Sequence, residues 1–274
     1  MEYVQTLRNV VISLSDDQIL HFNPMIAKEK PNSVHHNSLC PFCAKDQLDE
    51  IIDTRDNMIL VKNKYPVLEE TFPTVLIETD ECQSELADYA LPHLYNLMAF
   101  AFEKWLEMEN NERFKSVIFF KNQGPLSGGS IRHPHMQIIG LEKVDYHDNL
   151  KEEFFVGHRI IASDTLEVNL STHPMIGFTE FNIRFTDLDQ LHEVARSVQS
   201  ICHYILNRFN GGSCRSYNIF FYHWLDVFYV KIIPRYVTTP LYVGFGLRQT
   251  YNNPEAIIDD LRQHYFYQPE SLRE

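Results

Sequence analysis

The feature that most restricts what this chain can become is an order of elements that occurs twice. In the first half, residues 58–61 and 74–77 are short apolar runs that read as buried strands. Residues 85–105 read as a helix, because Leu86, Ala90, Leu94, Leu97, Ala101 and Trp105 recur at three- or four-residue steps and form one apolar stripe. Pro92 falls inside that helix and is expected to kink it. Strands over 116–120 and 135–141 follow, with a glycine-rich loop between them. The second half repeats the pattern with a strand at 181–184, a helix at 187–209, and strands at 217–221 and 228–233. A further strand at 241–247 and a helix at 254–264 are expected at the end, and the first 39 residues, with Pro24 and Pro31, read as irregular.

Local matches support a duplication. The run Ser116-Val-Ile-Phe-Phe120 resembles Tyr217-Asn-Ile-Phe-Phe221, and Gln137-Ile-Ile139 resembles Lys231-Ile-Ile233. Phe119 and Ile138 are 19 positions apart and Phe220 and Ile232 are 12 apart, a difference of about the length of the glycine-rich loop. Superposition of the halves sets Val227, Tyr229 and Lys231 opposite His133, His135 and Gln137. The expected architecture is therefore α+β, in two halves of 1–150 and 151–274, with the second keeping the fold and losing the site.

Composition excludes several functions. With 44% hydrophobic and 22% charged residues the 274-residue chain is neither disordered nor short of core. No apolar run approaches the length of a membrane span, and residues 1–10 carry no secretory signal, so no membrane partner is expected. A net charge of −13 repels nucleic acid. The five cysteines are an odd number without a signal peptide, which points to a reducing, cytoplasmic setting.

The chemistry is concentrated between Asn122 and Gln137. Gly124, Gly128 and Gly129 sit among small polar residues, as in a turn or in a loop whose N–H groups converge on phosphate. Asn122, Ser127 and Ser130 add side-chain donors. His133, His135 and Gln137 follow at alternate positions, so on a strand they share one face. Pro134 stiffens the backbone between the histidines, and a neutral imidazole is a competent nucleophile toward phosphorus. Upstream, Cys40-Pro-Phe-Cys43 has the spacing of a metal knuckle or a redox pair; as a zinc site it needs two more ligands.

The segment Phe120-Lys-Asn-Gln-Gly124, then a loop ending in Ser130, then His133-Pro-His-Met-Gln137, resembles the active-site segment of galactose-1-phosphate uridylyltransferase and ADP-glucose phosphorylase, the transferase branch of the histidine-triad (HIT) superfamily. The resemblance implies tandem HIT-like halves, each an antiparallel sheet with a packed helix. It implies that His135 is the nucleophile and that Gln137, Ser130, Asn122, Gly128 and Gly129 lie at the phosphate. Asn63-Lys-Tyr65-Pro66 is similar to the family's nucleotide-binding turn, so Asn63 and Tyr65 are implied beside the ribose or base. The family's zinc implies a structural ion on Cys40, Cys43, Cys82 and His133, with Cys82 where the family has a histidine; His93, His35 and His36 are the substitutes for Cys82.

Other positions depart from the family. Its hexose-binding lysine and glutamate correspond to Pro240 and Gly246, and its arginine-rich motif is reduced to Lys28 and Lys30. The implied activity is transfer of a nucleoside monophosphate from a nucleoside diphosphate sugar, or a similar donor, to a phosphate acceptor through a nucleotidyl-histidine. Phosphorolysis, hydrolysis and nucleotide binding without turnover are the competing readings. The family's habit of forming dimers leaves room for a homodimer.

Overall fold

The computed structural model describes residues 18–32 and 40–267. A short helix α1 (Pro24–Glu29) precedes β1 (Ile51–Arg55), β2 (Met58–Lys62), β3 (Thr71–Ile77), α2 (Leu91–Glu109), β4 (Ser116–Gln123) and β5 (His135–Leu141). The order then recurs as β6 (Gly157–Ala162), β7 (Leu166–Ser171), β8 (Phe181–Phe185), α3 (Leu191–Asn207), β9 (Tyr217–Trp224) and β10 (Val227–Pro234), closed by α4 (Pro240–Phe245) and α5 (Pro254–Leu261). All ten strands form one antiparallel sheet in the order β1-β2-β3-β5-β4-β9-β10-β8-β7-β6. Each half thus has the same internal order, and the halves join edge to edge through β4 and β9. This is the α+β tandem fold.

Both long helices cover one face of the sheet. There α2 buries Leu94, Leu97, Met98, Ala101, Phe102 and Trp105, and α3 buries Val194, Val198, Ile201 and Ile205. The Trp105 indole N–H donates to Val117 O at 3.2 Å, which satisfies the one polar atom of a fully buried ring. At the joint, the rings of Phe119 and Phe221 stack with centroids 4.0 Å apart. Among the described residues no helix is long and apolar enough to cross a membrane.

Several expectations change. Pro92 does not kink α2; it lies in the first turn, where a missing N–H costs nothing, and residues 86–88 form a separate 3-10 turn. The expected strand at 241–247 is the helix α4: Thr239 accepts from Leu241 N–H, Pro240 opens the first turn and Gly246 closes it at φ +64°. Asn23 caps α1 inside the segment expected to be irregular. Strands β1, β6 and β7 are additional to the expected set.

The repeat itself is in a different register. Phe120 pairs with Gln137, and Phe220 pairs with Lys231. Phe120 therefore corresponds to Phe220, not to Phe221. The pentapeptide match was one residue out of step, which on a strand exchanges the two faces. The correspondence of Tyr229 with His135 and Lys231 with Gln137 agrees with the pairing.

Candidate active site

Three cysteines and a histidine from three separate segments meet at one point. The ligand atoms of Cys40, Cys43, Cys82 and His133 all lie within 4.8 Å of one another. His133 is fully buried, and its Nε2–H donates to Thr79 O at 2.8 Å. A carbonyl only accepts, so Nδ1 carries the lone pair. It faces the thiols, 3.6 Å from Cys40 Sγ and 3.7 Å from Cys43 Sγ. Burial, then the neighbouring thiols of Cys43 and Cys40, push Cys82 up to about 12. Burial also raises Cys40. Three sulfur donors and one imidazole nitrogen so grouped suit a tetrahedral soft-to-borderline metal ion. His93 packs against Tyr89, away from this group. His35 and His36 lie outside the described residues.

Beyond Pro134 the chain enters β5, and His135 is its first residue, paired with Ile77 of β3. Expected to share a face with His135 and Gln137, His133 instead precedes the strand and turns into the thiol cluster. Glu78 N–H donates to Pro134 O, so the end of β3 holds the segment between the two histidines. The His135 ring is 7% exposed, and burial lowers its pKa to about 4, so the imidazole is neutral near neutral pH. Its Nδ1–H donates to His133 O at 2.8 Å. This fixes the tautomer and leaves Nε2 with the lone pair. The segment that carries His133 into the cysteine cluster thus orients the second histidine through the backbone of the first.

Between β4 and β5 the glycine-rich loop is tied to the second half. Gly124, at φ +81°, passes so close to Arg215 that a Cβ there would stand 2.1 Å from Arg215 O. Ser127, expected among the phosphate donors, is used inside the loop: its hydroxyl donates to Gly124 O and accepts from Gly129 N–H. Asn218 of β9 donates to Asn122 Oδ1 at 2.6 Å and to Ser127 O at 3.0 Å.

These elements enclose a cavity of 620 Å³ on the face of the sheet away from the helices. Asn63, Tyr65, Asn122, Gly128, Gly129, Ser130, His135 and Gln137 all line it, and so does Lys30. Asn63 Oδ1 accepts from Tyr65 N–H at 2.9 Å, which forms the turn after β2. Pro240 and Gly246 lie elsewhere, on α4. The sequence reading missed Phe42, the middle of the knuckle, which is buried and also lines the cavity. It also missed Asn218, which no motif marks.

Residues 22–144 match the N-terminal domain and residues 147–266 the C-terminal domain of a family described as a domain of unknown function, DUF4931. A crystal structure of a DUF4931 family protein from Bacillus cereus ATCC 10987 is 43% identical, with a TM-score of 0.74, and the match covers 80% of this chain and 100% of that one. The chain belongs to the DUF4931 family.

The same fold occurs in an ADP-glucose phosphorylase from Arabidopsis thaliana, solved with ADP-glucose bound, at 17% identity and a TM-score of 0.66 over 88% of this chain and 94% of that one. It occurs also in a uridylyltransferase, at 16% identity and a TM-score of 0.64 over 83% of this chain and 91% of that one. No curated protein matches this chain in sequence. The structural neighbours of this DUF4931 chain thus include a phosphorylase and a uridylyltransferase.

In the second half of this DUF4931 protein the positions that correspond to His135 and Gln137 are covered. Phe155 stacks on Tyr229 with centroids 4.3 Å apart. Lys231 donates to Glu180 at 2.9 Å and to Phe154 O at 2.7 Å, with both charged side chains fully buried. Where the first half has a cavity, the second has an ion pair under an aromatic plug.

Proposed function

We propose that this protein is a nucleotidyltransferase that works through a covalent nucleotidyl-histidine on His135. The observation that carries the reading is the hydrogen bond from His135 Nδ1–H to His133 O, which leaves Nε2 as the lone-pair nitrogen of a ring lining the cavity. A nucleoside diphosphate compound binds with its base end toward Asn63 and Tyr65 and its α-phosphate at Gly128, Gly129 and Ser130. His135 Nε2 attacks the α-phosphorus. The N–P bond forms as the bond to the bridging oxygen breaks, and the leaving group departs with its phosphate. Gln137, Ser130, Asn122 and loop N–H groups hold the charge on the non-bridging oxygens. An oxygen of an acceptor phosphate then attacks phosphorus, the N–P bond breaks, and neutral His135 is restored.

Cys40, Cys43, Cys82 and His133 hold a zinc ion. With four protein ligands it is structural, and its chemistry is to fix the knuckle and His133. We assign catalysis to residues 1–150 and none to residues 151–274. The ADP-glucose bound by the Arabidopsis phosphorylase and the name of the uridylyltransferase support a nucleotide or nucleotide-sugar donor.

The test is intact-protein mass after incubation with UDP-, ADP- and GDP-sugars without acceptor. Wild type should gain one nucleoside monophosphate from a matching donor, and His135→Ala should gain none. A His135→Ala protein with full transfer activity would sink the reading.

A further inference from the structure

Beside the nucleotide cavity, over the joint of the halves, lies a second cavity of 450 Å³. Phe120 and Asn122 line both, so a molecule bound at His135 can extend directly into it. Its character is unlike that of the first. Phe120 and Phe220 face each other across the β4–β9 joint with centroids 6.4 Å apart. Tyr146 and Tyr222, 6.1 Å apart, and Met175 continue the wall. The polar groups collect in one corner. There Arg235 Nη1 donates to Asn218 Oδ1 at 2.7 Å, and Asn218 donates on to Asn122. Among the described residues no carboxylate lines the cavity.

A hexose needs hydrogen-bonding side chains around its ring, because a buried hydroxyl left unpaired loses its bonds to water and gains none in return. This wall offers rings and a thioether instead. We propose that the cavity receives the leaving group of the donor, and that this group is a phosphate carrying a flat, apolar ring system rather than a sugar. The ring system lies between Phe120, Phe220 and Tyr222, and its phosphate points to the Arg235 corner. This rests on the nucleotidyl-histidine reading above, since it names what that histidine displaces.

The experiment compares three donors of one nucleoside on the full-length, zinc-loaded protein: the diphosphate glucose, the diphosphate phenyl ester and the symmetrical dinucleoside diphosphate. The rate of His135 labelling at low donor gives kcat/KM for the first step. The ring-bearing donors should exceed the glucose donor by about tenfold or more. Phe220→Ala should erase that preference, slowing the ring-bearing donors by about tenfold more than the glucose donor. Phe220→Leu, which keeps most of the packing, should reduce it partway and guards against a variant that fails to fold. A phenyl donor at least as fast as the dinucleoside donor supports the proposal, whereas a dinucleoside donor that alone outruns glucose overturns it, because that leaving group carries a ribose and a polar base. A glucose donor as good as the others overturns it. So does a Phe220→Leu protein that stays folded and slows all three donors alike, or one in which a dimer dissociates, because the cavity is then closed by a second copy of the chain. Absence of labelling by every donor, in folded wild type, is instead a failure of the nucleotidyl-histidine reading.

Discussion

Phe42 stands edge-on to His135, with ring centroids 5.4 Å apart, and edge-on to His133 at 5.8 Å. One side chain from the middle of the cysteine knuckle therefore braces both a metal-ligand candidate and the proposed nucleophile. Phe42→Leu should keep one metal ion per chain and slow nucleotidyl-histidine formation by roughly tenfold, the usual scale for losing an orienting neighbour. Rapid-quench mass spectrometry checks the rate, and metal analysis of the same sample checks the ion.

The ligand set makes a sharper prediction at Cys82. Its thiol lies in the group of donors with Cys40, Cys43 and His133. Cys82→His should retain one zinc per chain, because imidazole is an equivalent ligand, whereas Cys82→Ala should lose it. Loss of the ion should lower the melting midpoint by about 5 °C or more, since bound metal stabilises only the folded chain. Metal analysis after gel filtration, followed by thermal unfolding, distinguishes the two variants.

Asn218 is 1% exposed and ties the glycine loop to β9 through Asn122 and Ser127. Asn218→Ala leaves both acceptors without that donor and also removes the acceptor used by Arg235. A loss of about 1–3 kcal/mol in urea unfolding is expected. The rate of labelling should fall further than wild type destabilised to the same extent by urea, because the loop itself is loosened.

Behind the site, Lys121 and Glu78 form a fully buried ion pair, and Tyr89 also donates to Glu78 at 3.0 Å. Lys121→Met alone strands a buried carboxylate and should cost about 3–5 kcal/mol. Pairing it with Glu78→Leu should recover most of that loss. Chemical denaturation of the two single variants and the double variant measures the coupling, and additivity would show that the pair does not act as a unit.

Much of this was legible in the residues. The periodicity of α2 and α3 marked the helices because each packs on a single apolar face. The spacing of Cys40 and Cys43 marked a metal knuckle or a redox pair, and only the family resemblance implied Cys82 and His133 as its partners; the four donors cluster in the structure. The register of β9 did not follow, because Ile219, Phe220 and Phe221 are all apolar and either face suits them as sequence. The helix α4 was hidden because Leu241, Tyr242, Val243 and Phe245 favour strands, and only the Thr239-Pro240 start and the Gly246 end speak against one. Neither Asn218 nor Phe220 could be placed at the site, because they reach it through strand pairing across the joint, nearly a hundred positions from the motif.

The edge-to-edge joint of β4 with β9 has a consequence for how the protein can be altered. It makes strands of the second half direct neighbours of the histidine segment's half, so Phe220, Tyr222 and Arg235 border a cavity that Asn122 also lines. Substitutions on β9 and after β10 can therefore change the surface a bound molecule meets there without altering any residue between Asn122 and Gln137.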